Sequence, residues 1–308
     1  LPPGATQGQF LLPGDADVDF SSDDVLPSIG LIYDMSESVT LRASYAETVA
    51  RQTFKELTPI LSQEFYGGPT FVGNPDLDMA SLRNYDLRLD YVPYQGGLWS
   101  LSWFDKLIED PIEYVQVVSS FTFTTARNYP EGKLQGFEAE VRQDMGQLRD
   151  GWRGLLLGAN ATLIESEVRL PQDEINGFNL PSIQAPMDSR EMTNAPEHLY
   201  NLYATLDLES IGTEVGLFYT IQGDTLVAGA GQANNNFVPS VFAEEYGTLN
   251  LTVAKRLGEG VALRLQGKNL TNPEIKEVYR SPYVPGGDVT RSSYHKGIEF
   301  TIGLSASF

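Results

Sequence analysis

The sequence predicts an all-β fold, an antiparallel transmembrane β-barrel, and two observations carry that prediction. Eleven short segments alternate apolar and polar residues, and the connections between them alternate short and long. Side chains along a strand point to opposite faces in turn, so each segment has one oily and one polar face. Two-sided strands with long loops at one end only are the layout of a membrane barrel whose short turns lie on the periplasmic side.

The elements follow in order. Ile29, Leu31 and Tyr33 share a face of the first strand. The second sets Val39, Leu41, Ala43 and Tyr45 against Thr40, Arg42 and Ser44. The third sets Tyr85, Leu87, Leu89 and Tyr91 against Asp86, Arg88 and Asp90. The fourth has Trp99, Leu101 and Trp103 opposite Ser100 and Ser102, and the fifth Phe137, Ala139 and Val141 opposite Glu138, Glu140 and Arg142. The sixth runs Leu155 to Leu163, with Gly158, Asn160 and Thr162 on its polar face. The seventh holds Leu202, Ala204, Leu206 and Leu208, the eighth Val215, Leu217 and Tyr219, and the ninth Leu249, Leu251 and Val253. Val261, Leu263 and Leu265 mark the tenth, and even positions from Ile298 to Phe308 the eleventh.

The connections set the topology. Ser36 to Ser38, Gln95 to Gly97 and Gly258 to Gly260 read as hairpin turns, two of them with glycine free to take positive φ. Five others are long, roughly 47–83, 105–133, 169–197, 222–244 and 271–293, and read as lacking regular structure. Loops of that length are uncommon inside compact soluble domains. Their recurrence at every second connection puts them all at one end and the C-terminus at the other. Tyr33, Tyr45, Tyr85, Tyr91, Trp99, Trp103 and Tyr219 lie near strand ends on the oily face, where interfacial girdles form.

Composition narrows the function. The 308 residues include 41 acids and 21 bases, a net charge of −20. That opposes nucleic-acid binding, which needs bases to neutralise phosphates. There is no cysteine, so disulfides and thiolate metal sites are out. With His198 and His295 alone, zinc chemistry has too few ligands. No nucleophile elbow or phosphate-cradling loop occurs, so neither an enzyme nor a cofactor is expected. Asp15, Asp17 and Asp19 open like a calcium loop, but Phe20 stands where such a loop needs glycine and Leu26 where it needs glutamate; a solvated acidic loop fits better. Glycosylation sequons at Asn160 and Asn250 fall inside strands and, with that at Asn269, read as chance.

Closure is the next constraint. Open edges in lipid leave backbone groups unpaired at several kcal/mol each, and single-chain bacterial barrels have even strand counts. Eleven is odd, and the chain starts Leu1-Pro-Pro-Gly4 with neither Met nor a secretory segment. It reads as a C-terminal fragment: residues 1–25 an extracellular loop remnant, residues 26–308 a C-terminal barrel portion.

Several segments resemble a known family. Leu41 to Arg51 with Gln52 to Pro59, Gly73 to Leu77 followed by Asn84 to Leu89, Gly132 to Glu140, Ala195 to His198, and Gly267 to Pro273 with the Gly297 to Phe308 strand occur in the order found in TonB-dependent outer-membrane receptors. The resemblance covers about residues 26–308. It implies eleven strands from the C-terminal half of a barrel of about 22 strands, with an N-terminal plug and a TonB-contacting segment outside this sequence. It further implies an outer-membrane location in a Gram-negative bacterium and TonB-powered import of a scarce, bulky solute: an iron–siderophore, a glycan, a cobalamin or a peptide. The terminal strand, with Phe300 and Phe308, resembles the signal read by the outer-membrane assembly machinery. Expected partners are therefore the lipid bilayer, that machinery, the TonB complex and a small-molecule or oligomeric substrate. A passive porin and a secreted β-sandwich adhesin are the alternatives: the motif order argues against the first, and the one-sided loops argue against the second.

Charges on the polar face, among them Arg42, Asp86, Arg88, Asp90, Glu138 and Glu140, are expected to line a wet or plugged lumen. Ligand recognition is expected in the outer loops, where aromatics and arginine cluster: Tyr66 and Phe71, then Tyr279, Arg280, Tyr283 and Arg291.

Overall fold

The computed structural model describes residues 23–63, 68–119, 121–233 and 236–306. Its main sheet contains eleven long strands: β1 (Ser28–Ser36), β2 (Val39–Ala50), β3 (Ala80–Tyr91), β4 (Gly97–Glu109), β5 (Glu131–Asp144), β6 (Leu155–Arg169), β7 (His198–Leu208), β8 (Thr213–Gln222), β9 (Tyr246–Gly258), β10 (Val261–Lys268) and β11 (Glu299–Ala306). Each pairs antiparallel with its chain neighbours, and Ser189–Arg190 adds a short strand beside the end of β6. The predicted strands are all present, several reaching further than their alternation alone marked. The sheet is not closed. β1 and β11 are its edges, and both are exposed at every described position.

Cross-strand register turns the alternation into two continuous surfaces. On the apolar face Leu41 lies opposite Leu89, Leu89 opposite Leu101, and Leu101 opposite Ala139. The band continues through Leu202, Tyr219 and Leu249, and again through Leu265 and Ile302. Many of its side chains are exposed, from Leu265 at 39% to Ile302 at 75%, while Leu41, Tyr219 and Leu249 are partly covered. An apolar patch spanning a whole sheet is far larger than water tolerates and demands a non-aqueous neighbour. Aromatics edge it at two levels: Tyr91 opposes Trp99 near the short turns, while Tyr45 opposes Tyr85 and Trp103 opposes Phe137 near the long loops. The Tyr45 and Tyr85 ring centroids stand 5.1 Å apart. The six steps from Tyr85 to Tyr91 span about 20 Å along the strand, so the two aromatic levels bracket most of a lipid-facing band.

The other face is polar and internally bonded. Arg42 Nε meets Asp90 Oδ2 at 2.9 Å, Arg88 Nε meets Asp90 Oδ1 at 2.7 Å, and Arg88 Nη2 reaches Glu140 at 3.0 Å across two strand pairings. Asn201 donates to Asn160 at 2.8 Å and Thr220 to Asn201 at 2.8 Å, so the Asn160 sequon serves a polar ladder. Two glycines make room on the sheet. A Cβ at Gly136 would meet the Leu163 carbonyl at 2.1 Å and the Phe104 ring at 2.6 Å, and one at Gly158 would strike the Tyr203 ring at 2.0 Å.

The long connections differ from expectation, for they are folded. Leu61–Ser62, Phe71–Val72, Thr122–Asn128 and Ile112–Val118 form one small sheet, with Phe71–Val72 parallel to Thr122–Asn128. Thr225–Ala228, Ser240–Ala243, Ile275–Arg280 and Val289–Tyr294 form another. Gly231–Ala233 pairs with Asn236–Val238, and a bridge from Val115 to Gly229 ties the first sheet to this region. Helix α1 (Phe54–Leu57) is closed by a Thr53/Glu56 capping box, and α2 (Gln172–Phe178) follows Pro171. The buried apolar residues gather in this cap: Tyr129, Val168, Leu170, Phe178, Met192 and Ala230 in one cluster, Phe71, Leu77 and Ala126 in another. Burial of about 25 cal/mol per Å² of apolar surface holds the loops together, which the sheet's outward-facing residues cannot do in water.

Candidate functional site in the loop cap

The cap encloses a cavity of about 450 Å³. Its walls come from four segments distant in sequence: the Gly73 to Asp76 turn, the strand pair carrying Val115 to Val118 and Phe123 to Arg127, helix α2, and the Ala230 to Ala233 strand. Close backbone approach makes this possible. A Cβ on Gly231 would sit 2.2 Å from the Gln116 carbonyl oxygen, so only glycine lets the two strands meet there.

The polar part of the wall is a chain of ion pairs. Arg127 Nη1 meets Glu174 Oε1 at 2.8 Å and its Nη2 meets Asp173 at 2.8 Å. The Tyr129 hydroxyl donates to the other Glu174 oxygen at 2.6 Å. Behind that ring, at 4.8 Å from its centroid, lies the Arg190 guanidinium, which pairs with the buried Glu113 at 2.6 Å. The Thr193 amide also donates to Glu113, at 2.9 Å. Burial pushes the Glu113 and Glu174 carboxyls above the ordinary glutamate range, against the pull of Arg190 on Glu113 and of the Tyr129 hydrogen bond and Arg127 on Glu174. Burial likewise raises the Tyr129 hydroxyl, keeping it a neutral donor.

Gln116 lies at the cavity wall and is 3% exposed. Its Nε2 donates to the carbonyls of Pro239 at 2.6 Å and Gly229 at 3.3 Å, which fixes the amide orientation. Its Oε1 has no hydrogen-bond partner among the described residues. Asp76 stands exposed at the mouth and makes no ion pair among them.

The residues expected to bind ligand fall in different places. Tyr66 lies outside the described residues, as do Phe308 and the Asp15 to Asp19 run. Phe71 is buried in the cap core, its ring edge-on to Tyr114 at 5.4 Å, so it packs instead of presenting a surface. Tyr279 and Arg291 face each other at 5.9 Å, and Arg291 pairs with Glu277 at 3.0 Å. Arg280 is held by Asp224 at 2.7 Å and Asp288 at 2.8 Å and lies over the Phe242 ring. Tyr283 is exposed and donates to the Pro186 carbonyl. Tyr279, Arg280 and Arg291 thus share one small sheet, with Tyr283 in the turn between two of its strands, apart from Phe71, and both arginines are neutralised locally. Phe300 is 75% exposed on the apolar face of the edge strand β11. Gln116, Arg127, Asp173 and Glu174 escaped the sequence reading. Only Glu113, an acid in the apolar run Ile112 to Val118, carries a local signal of burial.

The profile of the family described as TonB dependent receptor-like, beta-barrel matches residues 4–270. No match is found among curated protein sequences. Among solved structures, the ferric enterobactin receptor of Pseudomonas aeruginosa, as a Q482A mutant in complex with enterobactin, superposes with a TM-score of 0.58 at 17% identity. It covers 92% of this chain and 40% of its own. The siderophore receptor PirA of Acinetobacter baumannii gives 0.56 at 16% identity, covering 92% and 41%. The FrpB iron transporter of Neisseria meningitidis gives 0.56 at 14% identity, covering 93% and 40%. The chain therefore spans about two fifths of the length of the structures it matches. At these identities the likeness shows a shared fold.

Proposed function

This chain belongs to the TonB-dependent receptor β-barrel family, a family of outer-membrane transporters, and from that premise we propose that it is the C-terminal half of the barrel of an energised importer. In this reading residues 1–25 are the end of an extracellular loop and residues 26–308 the barrel portion. The loop cap captures a scarce, bulky solute outside, and the polar sheet face lines its route to the periplasm. The relatives named as siderophore receptors and as an iron transporter favour an iron–siderophore as cargo. No covalent chemistry is required of the chain, since import changes only the side of the membrane on which the solute lies. TonB contact belongs to segments upstream, and the terminal strand with Phe300 and Phe308 is assigned to outer-membrane assembly through strand addition at an exposed edge.

One observation carries the proposal. The sheet is apolar on one face, polar on the other and open at both edges, and the buried apolar clusters of the described residues sit in the loops at a single end. A porin shares the strand pattern, so the test is energetic. Cells expressing the complete receptor should accumulate a ferric siderophore, and a protonophore should abolish accumulation. Uptake that persists undiminished after de-energisation identifies a passive pore and refutes the proposal.

A further inference from the structure

The turn between β5 and β6 differs from the other four at the short-turn end of the sheet. It runs from 145 to 154 as two successive 3₁₀ turns, Met145–Gln147 and Asp150–Trp152. At its start the Asp144 carboxylate accepts from the Gly146 amide at 2.9 Å. At its end Gly154 takes a φ of +82°, where a Cβ would stand 2.2 Å from the Asp207 carbonyl oxygen. Both ends are thus pinned to the sheet. Every residue from 147 to 154 is exposed, including Leu148 at 59% and Trp152 at 43%. The Trp152 amide donates to the Arg149 carbonyl at 2.9 Å, and this i to i+3 spacing stacks the Arg149 guanidinium 5.7 Å from the Trp152 ring centroid. Arg149 makes no ion pair among the described residues. Arg153 meets Asp150 at 3.0 Å, but the two side chains are 80% and 91% exposed, so the pair contributes little. Two bases against one acid make the turn net positive in a chain of net charge −20. The other four turns at this end hold no base, and three of them hold a glutamate: Glu37, Glu209 or Glu259.

The place of the turn on the sheet gives it a neighbour. Val141 and Leu155, on the strands that enter and leave it, lie on the apolar face, with Val141 opposite Trp99 in the aromatic level near the short turns. From Val141 to Met145 is about 13 Å along the strand, or about 10 Å along the membrane normal at a barrel's tilt. The turn therefore sits at the outer edge of a headgroup layer about 5–8 Å deep. Resting on the reading of this sheet as a lipid-facing barrel wall, we propose that the turn is a surface anchor selective for anionic phospholipid. Leu148 and Trp152 seat among the headgroups, and Arg149 and Arg153 take the lipid phosphate. An exposed leucine and indole lose apolar surface to water there, and the interface is where an indole is favoured. A guanidinium matches phosphate oxygens two at a time. Asp150 offsets one of the two bases. The remaining positive charge attracts a headgroup of net negative charge and gains little from one whose own ammonium cancels its phosphate. The anchor holds the β5–β6 hairpin at a fixed depth, at the end of the sheet opposite the cap.

The test places the complete receptor in phosphatidylcholine vesicles holding a minor fraction of phosphatidylglycerol, with bromine on the acyl chains of one lipid or the other. The probe is the part of the tryptophan emission that Trp152→Phe removes. Its quenching should report phosphatidylglycerol enriched about five-fold over the bulk fraction, and phosphatidylcholine not enriched. The double variant Arg149→Gln/Arg153→Gln should bring phosphatidylglycerol to within about two-fold of bulk, and about 1 M salt should do the same. Both arginines are exposed, so the variant should unfold at the same denaturant midpoint as the parent in phosphatidylcholine alone. Soluble glycerol 3-phosphate should not displace the lipid, because it lacks the chains that hold it at the interface. Equal quenching by the two lipids, enrichment that survives loss of both arginines, or displacement by glycerol 3-phosphate overturns the proposal. A receptor that inserts but shows no preference rejects the anchor and spares the barrel wall, while one that inserts into no vesicle overturns both.

Discussion

Glu113 and Arg190 test whether the loops form a folded cap or a loose fringe. Their charged atoms stand 2.6 Å apart, with the Glu113 side chain 1% exposed and that of Arg190 10%. Glu113→Gln leaves the guanidinium with the Glu191 carbonyl at 2.8 Å and the Tyr129 ring face, while its Nη2 has no partner among the described residues even in the parent. Breaking a buried pair from one side costs about 3–5 kcal/mol, because the remaining charge stays desolvated. Local opening of the cap should therefore rise by roughly two to four powers of ten. Amide hydrogen exchange on the complete receptor reads this at Tyr129, whose N–H bonds the Pro111 carbonyl at 2.9 Å. Exchange of β4 and β5 amides should stay unchanged. The double variant Glu113→Leu/Arg190→Met removes both charges and should return to within about 1–2 kcal/mol of the parent. If the single variant exchanges as slowly as the parent, or the double as fast as the single, the pair is not the buried constraint described here.

Three shorter predictions follow from the same structure. Leu101→Arg, at the centre of the apolar band, should destabilise the receptor by about 2–4 kcal/mol in denaturant refolding into detergent, whereas Ser102→Asn on the opposite face should cost under about 1 kcal/mol; equal costs would reverse the assignment of faces. Glu174 binds its proton more tightly in the folded cap than in an opened one, so its contribution is present at low pH and is lost as pH rises through its raised value. Cap opening, corrected for intrinsic exchange, should accordingly fall from about pH 8 to about pH 5, and Glu174→Gln should flatten that dependence; a steeper opening on acidification would show the sign to be wrong. Deleting Phe308 should lower the outer-membrane level of the receptor while synthesis continues, and normal assembly of the truncated chain would leave that residue only an anchoring role.

Periodicity fixed one level of this molecule and left another open. Because side chains alternate with period two, Trp99, Leu101 and Trp103 had to share a face whatever lay beside them, and the same parity put Arg88, Asp90 and Glu140 together on the other. The glycine-bearing turns and the spacing of the strands gave the order and the end at which the loops gather. The cap obeys no such short-range rule. Arg190 finds Glu113 across 77 residues and Arg127 finds Asp173 across 46, contacts that exist only once the surrounding loops have folded. Phe71 and Gln116 show the same limit from opposite sides. An aromatic in a glycine-rich loop looks like a ligand surface until packing buries it against Tyr114, and a glutamine in an apolar strand looks inert until two backbone carbonyls take its N–H groups and leave its oxygen without a donor. Local alternation decides which way a strand side chain points; long-range packing decides which polar atoms are buried and which of those find a partner.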